Sequence, residues 1–188
     1  MVKVAVFVSG GGTNLQAILD AQGTVIQNAR VALVIASRED AYALERAKKH
    51  SVPGVVLREE ADIQRTLEEY GIGLIVLAGY MRILSSAFTA RWDKRILNVH
   101  PSLIPSFCGK GMYGLRVHEA ALSYGVKVTG ATVHFVNEVP DGGEIIYQKA
   151  VDIEPNDTPE ILQRRVMEQA EWILLPRAIE KVAKEMLA

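Results

Sequence analysis

Asn98 and His100 stand two residues apart in Ile96-Leu97-Asn98-Val99-His100-Pro101, a spacing that could do chemistry. Residues two apart on an extended strand face the same way, so a carboxamide and an imidazole would stand side by side where the strand ends. A third polar group, Asp141, comes from the turn Val139-Pro140-Asp141-Gly142-Gly143. Such a set suits acyl transfer. The carboxamide and a protonated imidazole donate to an oxyanion; the carboxylate orients the imidazole, raises its pKa and takes the proton shed by an attacking amine. No side-chain nucleophile is required. Taken singly, each residue has a plainer reading: His100 as a polar strand end, Asp141 as a turn residue ahead of Gly142. His134 likewise reads as a hydrogen-bonded strand histidine, and His50 and His118 at helix ends read as surface residues.

The second cluster is Ser9-Gly10-Gly11-Gly12-Thr13-Asn14, placed between an apolar run and a helical pattern. Glycines let backbone approach a ligand, and a helix N-terminus offers unpaired N–H groups to an anion, so a phosphate is the natural occupant. A dinucleotide fingerprint would need a third glycine where Leu15 stands and an acidic residue where Ser37-Arg38 is found. A nucleoside-triphosphate loop would need a Lys-Ser or Lys-Thr pair after the glycines, which is missing. A monophosphate fits better; a tight turn with no ligand is the bland alternative. Cys108 could accept an acyl group as a thiolate, but no neighbour in sequence lowers its pKa, and it reads as incidental.

The elements that must hold these groups alternate between strand and helix. Lys3–Val8, Val31–Ala36, Gly54–Leu57, Leu74–Leu77 and Ile96–Val99 read as strands, the first as one buried on both faces. Between them Asn14–Ala21, Ala41–His50, Asp62–Tyr70 and Ser85–Trp92 read as helices, with Thr13 or Asn14 as the N-cap of the first. That alternation implies an α/β fold, Rossmann-like and doubly wound, with a mostly parallel sheet and helices on both faces. After a loop at Pro101–Leu115, Val117–Tyr124 reads as helix and Lys127–Val136 as a strand whose Thr132 and His134 share a face. Glu144–Val151 supplies a last strand, a candidate for antiparallel pairing. Thr158-Pro159 starts a helical pattern that runs to Leu187, which Pro176 should kink or split.

Composition sets the outer limits. A chain of 188 residues fits a single domain over 1–188, with a phosphate-binding half at about 1–100 and a catalytic half at about 101–188. Lys plus Arg number 21 against 22 for Asp plus Glu, with no basic run, so a small-molecule partner is expected and nucleic acid is not. One cysteine excludes an internal disulfide and argues against a thiolate zinc site, and it makes a reducing cytoplasm the default compartment. The apolar runs are strand-sized, so neither export nor membrane insertion is expected. The choice between monomer and homodimer stays open.

Five ordered blocks carry a family resemblance: Ser9 to Leu15, Leu77-Ala78-Gly79-Tyr80-Met81-Arg82-Ile83-Leu84, Asn98 to Leu103 with Pro105, Thr132 to Val136, and Asp141-Gly142-Gly143. Together they resemble the phosphoribosylglycinamide formyltransferases, a folate-dependent family. The resemblance implies transfer of a formyl group from 10-formyltetrahydrofolate to the amine of glycinamide ribonucleotide in purine synthesis, with no metal. By position, Gly11, Gly12, Thr13 and Asn14 resemble the substrate phosphate loop. Asn98, His100 and Asp141 resemble the catalytic trio, His134 its supporting histidine, and Glu171 the carboxylate that binds ribose hydroxyls. Met81, Arg82, Ile83 and Leu84, with Val139 and Pro140, resemble the folate pocket, although core packing is a strong alternative for Ile83 and Leu84. The stretch from Ser106 to His118 departs from the family pattern as extra loop, whose glycines suggest mobility over the site.

Other readings make different predictions. Formyltetrahydrofolate deformylase shares the trio but carries an N-terminal regulatory domain, whereas here the first strand begins at Lys3. Methionyl-tRNA formyltransferase would need an RNA-binding domain and more positive charge. A non-catalytic nucleotide-binding module would explain the glycine loop and leave the trio idle. A reductase reading rests on Arg38 as a partner for a cofactor 2′-phosphate and predicts binding of that cofactor.

Overall fold

A computed structural model describes all of residues 1–188. Its seven-stranded sheet has the order β3-β2-β1-β4-β5-β6-β7. The strands are β1 (Val2–Val8), β2 (Ala29–Ala36), β3 (Gly54–Val56), β4 (Leu74–Leu77), β5 (Ile96–His100), β6 (Val128–Phe135) and β7 (Ile145–Asp152). The helices are α1 (Thr13–Asp20), α2 (Ala43–Lys49), α3 (Glu60–Tyr70), α4 (Ser86–Arg91), α5 (Leu115–Tyr124), α6 (Pro159–Val166) and α7 (Trp172–Leu187). β1 to β5 run parallel, each joined to the next through a helix. The order of connection reverses between β1 and β4, and at such a switch point the loops leaving the carboxyl ends of neighbouring strands part to form a crevice.

Alternation along β1 explains why that strand is apolar throughout. Val4, Val6 and Val8 join one core with α1, α6 and α7, whereas Ala5 and Phe7 join a second core with α3 and α4. A strand covered on both sides has no face to give to water. The expected antiparallel edge is present and wider than the last strand alone, since β6 runs antiparallel to β5 and β7 antiparallel to β6. Ser85 and Thr158 accept from Phe88 N–H at 3.1 Å and Ile161 N–H at 3.3 Å, so both hydroxyls cap their helices as N-cap chemistry requires.

Two expectations about helices fail. Neither Thr13 nor Asn14 caps α1; the N-cap is Gly12, at φ 71°, and no side chain bonds the helix start. The open N–H groups are left for something other than a local cap. Pro176 does not break its helix, because it lies in the second turn of α7 and the chain continues through it. The irregularity is a π-helical turn, Met167–Glu171, immediately before α7. Pro176 lacks the N–H that would bond the carbonyl four residues back, at Trp172, yet α7 runs on to Leu187.

Candidate functional site

β5 and β6 bring the polar trio together through their register. Asn98 lies opposite His134, and His100 opposite Thr132. Cross-strand partners on one face approach closely enough to interact, and the Asn98 amide donates to His134 Nε2 at 3.2 Å. His134 Nδ1 lies 2.7 Å from the Phe135 carbonyl. A carbonyl can only accept, so Nδ1 carries a proton and Nε2 of the neutral ring is the acceptor that holds Asn98 in place. One N–H of the carboxamide remains uncommitted.

Asp141 arrives from the loop before β7. It has φ 55°, an unfavourable region for a residue with a side chain. The turn survives because of its neighbour: a Cβ on Gly143 would sit 1.7 Å from the Phe135 carbonyl oxygen, so only glycine lets the loop lie on the end of β6. The carboxylate then spans both histidines, with Oδ2 at 3.6 Å from His100 Nδ1 and Oδ1 at 3.6 Å from His134 Nε2. Gly109 N–H donates to Oδ2 at 2.9 Å. Burial works to raise the Asp141 carboxyl, but the Gly109 N–H bond and the charge of His100 outweigh it and hold the group below the usual aspartate range. It is an anion at neutral pH.

His100 is 4% exposed and bonds the Phe107 carbonyl through Nε2 at 2.9 Å. That bond places a proton on Nε2 and leaves Nδ1 as the edge facing Asp141. The segment expected as extra loop is therefore part of the centre: Phe107 fixes one ring edge of His100 and Gly109 holds the carboxylate. Thr132 anchors this segment by donating to Ser102 O at 2.7 Å and accepting from Ile104 N–H at 3.1 Å. Sequence gave no sign of these partners, because backbone groups carry no residue signature.

His118 corrects an expectation. It is fully buried on α5 rather than at the surface, and neither ring nitrogen has a partner. Burial first, and then the charge of His100, push it down to about 4, so it is neutral at physiological pH. His50 is exposed and bonds Gln16, as expected of a surface residue. Cys108 has its thiol pushed up by burial and by Asp141, the opposite of an activated thiolate. Arg38 forms an ion pair with Asp40, a partner that competes with any cofactor phosphate.

The glycine loop lies at the same carboxyl edge, between β1 and α1. Ser9 ties it to its neighbours, with Oγ at 2.7 Å from Ser37 Oγ and accepting Met81 N–H at 2.9 Å. Gly11 and Gly12 precede Thr13, which is exposed, and Asn14, which is buried. The Asn14 amide reaches Glu171 Oε2 at 2.7 Å, while its own Oδ1 is buried without a partner. Glu171, delivered by the π-helical turn, is 5% exposed, and burial pushes its carboxyl from an ordinary 4.5 up to about 7 despite the Asn14 bond. Trp172 beside it keeps its indole N–H buried and unpartnered. A buried polar group with spare bonding capacity calls for an explanation, and a ligand supplies one.

The stretch after β4 does not pack as core. Met81 is 55% exposed, Ile83 88% and Val139 55%, with Arg82 and Pro140 also exposed. Only Leu84 of the apolar set packs on the core shared with α3 and α4. Apolar side chains held open on two loops, one leading from β4 and one leading to Asp141, suit a flat, partly apolar ligand. No cluster of three or more His, Cys, Asp or Glu side chains is arranged to hold a metal ion.

Comparison with known proteins gives a consistent result. The family model described as formyl transferase matches residues 2–179. A phosphoribosylglycinamide formyltransferase of Haemophilus influenzae is 42% identical, over 96% of this chain and 86% of its own length. A trifunctional purine biosynthetic protein adenosine-3 of Gallus gallus is 43% identical over 97% of this chain, which spans only 18% of that relative. Among solved structures, a glycinamide ribonucleotide transformylase 1 of Symbiobacterium toebii superposes with a TM-score of 0.90 at 42% identity, covering 98% of this chain and 89% of its own.

Proposed function

The chain belongs to the formyl transferase family, and from that premise we propose that it transfers the formyl group of 10-formyltetrahydrofolate to the primary amine of glycinamide ribonucleotide, a step of purine biosynthesis. The observation that carries the reading is the bridge made by Asp141, 3.6 Å from His100 and 3.6 Å from His134, with Asn98 held on His134 at the ligand edge of the sheet.

Each residue then has a task that its surroundings suit. Gly11, Gly12, Thr13 and Asn14 receive the substrate phosphate, and Glu171 receives ribose hydroxyls, so the glycine loop and the π-helical turn together orient the amine. Met81, Ile83, Val139 and Pro140, with Leu84 packed behind them and backbone around Arg82, hold the folate, whose pterin matches the apolar side chains left in solvent. The folate supplies the formyl carbon and, once its C–N bond breaks, departs as tetrahydrofolate carrying a proton. The free N–H of Asn98 and the Nδ1–H of protonated His100 donate to the oxygen as the amine adds to the formyl carbon. His100 Nε2 is committed to Phe107, which leaves only Nδ1 for that role. Asp141, ionised and close to both rings, accepts the proton that the amine loses and returns it toward the departing nitrogen. The reducing cytoplasm fits the free thiol of Cys108.

The test is tetrahydrofolate release measured with and without glycinamide ribonucleotide. Release should depend on the amine. Release at the same rate without it would mean hydrolysis of the formyl donor instead, and amine binding with no turnover would mean a binding module. Asn98→Ala, His100→Ala and Asp141→Ala should each lower kcat by about a hundredfold or more, as loss of an oxyanion donor or proton carrier does. Mild effects at all three would overturn the assignment of the trio.

A further inference from the structure

We infer that Arg46, on the outer side of the glycine loop, shapes the anion-binding backbone of that loop and supplies its countercharge. The inference rests on the proposed function only in naming the phosphate ester; the geometry stands without it.

Two successive carbonyls of the loop are tied to α2. Gly10 O accepts Ala43 N–H at 3.1 Å, and Gly11 O accepts Arg46 Nε–H at 2.8 Å. In a trans peptide plane the carbonyl and the following N–H point in opposite directions. Fixing the oxygens of Gly10 and Gly11 toward α2 therefore turns the N–H groups of Gly11 and Gly12 away from it. Neither N–H donates to any acceptor in the protein. The next two, on Thr13 and Asn14, open α1 with no helical carbonyl behind them. Adjacent N–H groups turned to one side form a concave nest for an anion, and the start of α1 adds its dipole.

The contact with α2 is close enough to demand glycine. A Cβ on Gly12 would meet Ala43 Cβ at 2.6 Å and Arg46 Cδ at 3.4 Å. Loop and helix thus behave as one part, and Arg46 is its only side-chain tie to the loop backbone. The guanidinium is half-buried and has no carboxylate within ion-pair distance. Its other bond, from Nη1 to Gln16 Oε1 at 3.0 Å, is to a neutral group, and Tyr42 flanks it at 5.2 Å. Nη2 is uncommitted. Such a fixed, unneutralised positive charge next to open N–H groups suits a phosphate monoester, whose two negative charges the nest alone would only partly offset.

Arg46→Met keeps the stem and removes both the fork and the charge, while Arg46→Lys keeps the charge and loses the Nε–H bond. The assay compares kcat/KM for glycinamide ribonucleotide with that for its dephosphorylated ribonucleoside. Loss of one charge-assisted contact predicts that the preference for the phosphorylated amine falls about tenfold in Arg46→Met, through KM for the amine rather than through kcat. Arg46→Lys should recover part of it. KM for the formyl donor, which other residues hold, should not follow the amine. In parallel, inorganic phosphate should raise the Tm of the wild-type protein more than that of either variant, a readout that needs no turnover. An unchanged preference, an equal loss for both amines, or an equal phosphate-dependent rise in Tm would each overturn the inference. If the wild-type protein formylates neither amine, the proposed function falls, and the phosphate titration alone decides the role of Arg46. Should Arg46→Met fail to fold, Arg46→Lys carries both measurements.

Discussion

Glu171 and Glu180 lie nine positions apart at the C-terminal end of the chain, both are buried, and they are held in opposite ways. Glu180 accepts the backbone N–H groups of Gln27 and Asn28, each at 2.9 Å, and the Asn28 amide at 2.7 Å, with Lys184 at 3.2 Å. Burial works to raise its carboxyl, yet those donors prevail and bring it down to about 2. Glu171 has the Asn14 amide as its one bond, and burial prevails, taking it up to about 7. A carboxylate filled with donors is a staple: it fixes α7 to the start of β2. One left short of donors costs the fold something and keeps lone pairs free for a ligand. The difference separates a residue kept for stability from one kept for binding.

The largest expected effect comes from emptying the staple. Glu180→Ala leaves the Gln27 and Asn28 N–H groups and the Asn28 amide without their acceptor, besides releasing Lys184, and should lower the unfolding free energy by about 3–4 kcal/mol, read from urea unfolding. Turnover of the folded fraction at 25 °C should stay within about twofold, since nothing here ties Glu180 to the crevice. The pH sign is that of a depressed acid. With a folded value near 2 and an unfolded value near 4.5, the contribution is present above pH 4.5 and is lost as pH falls toward 2. Wild type and Glu180→Gln should therefore converge in stability over that range. A loss of activity with stability intact would erase the distinction between the two glutamates.

Neither glutamate announced its role in the sequence. Both sit in one helical pattern, and what distinguishes them is supplied from far away: Asn14 lies 157 positions from Glu171, and Asn28 lies 152 from Glu180. Glu171 was legible only through family resemblance, and Glu180 not at all. Local patterns served better. The β-branched runs ending in turn residues located β1, β2, β4 and β5, because burial on both faces leaves a strong apolar signature, while β6 was read from alternation. Asn98 and His100 followed from strand alternation. His118 was misread because an imidazole at a helix start carries no mark of what will cover it, and Phe107 and Gly109 were missed because they act through backbone atoms. The π-helical turn, too, was hidden: its residues continue the helical periodicity on either side.

A raised acid gives the reverse pH dependence, and this is the second way to sharpen the contrast. Between pH 4.5 and 7 the unfolded chain has released the Glu171 proton while the folded protein still holds it, so the folded state binds more protons and stability falls as pH rises. The burial cost is absent below about 4.5, grows through that window, and is complete above 7. Glu171→Gln removes the charge and keeps the shape. Its stability should match wild type near pH 4.5 and exceed it by about 3 kcal/mol at pH 8. Parallel curves for the two proteins across this window would show that Glu171 is as well satisfied as Glu180.

The same substitution should show what the cost is for. Gln has one acceptor oxygen where the carboxylate has two, and its amide presents donors to ribose hydroxyls that are best used as donors themselves. KM for glycinamide ribonucleotide should therefore rise about thirtyfold in Glu171→Gln, equivalent to about 2 kcal/mol, with little change in KM for the formyl donor. Stability gained and amine affinity lost in one variant is the signature of a group retained against the interest of the fold. If the variant is more stable and binds the amine as well as wild type, the buried acid is a packing compromise like any other, and the unpartnered Asn14 Oδ1 and Trp172 Nε1 beside it need another occupant.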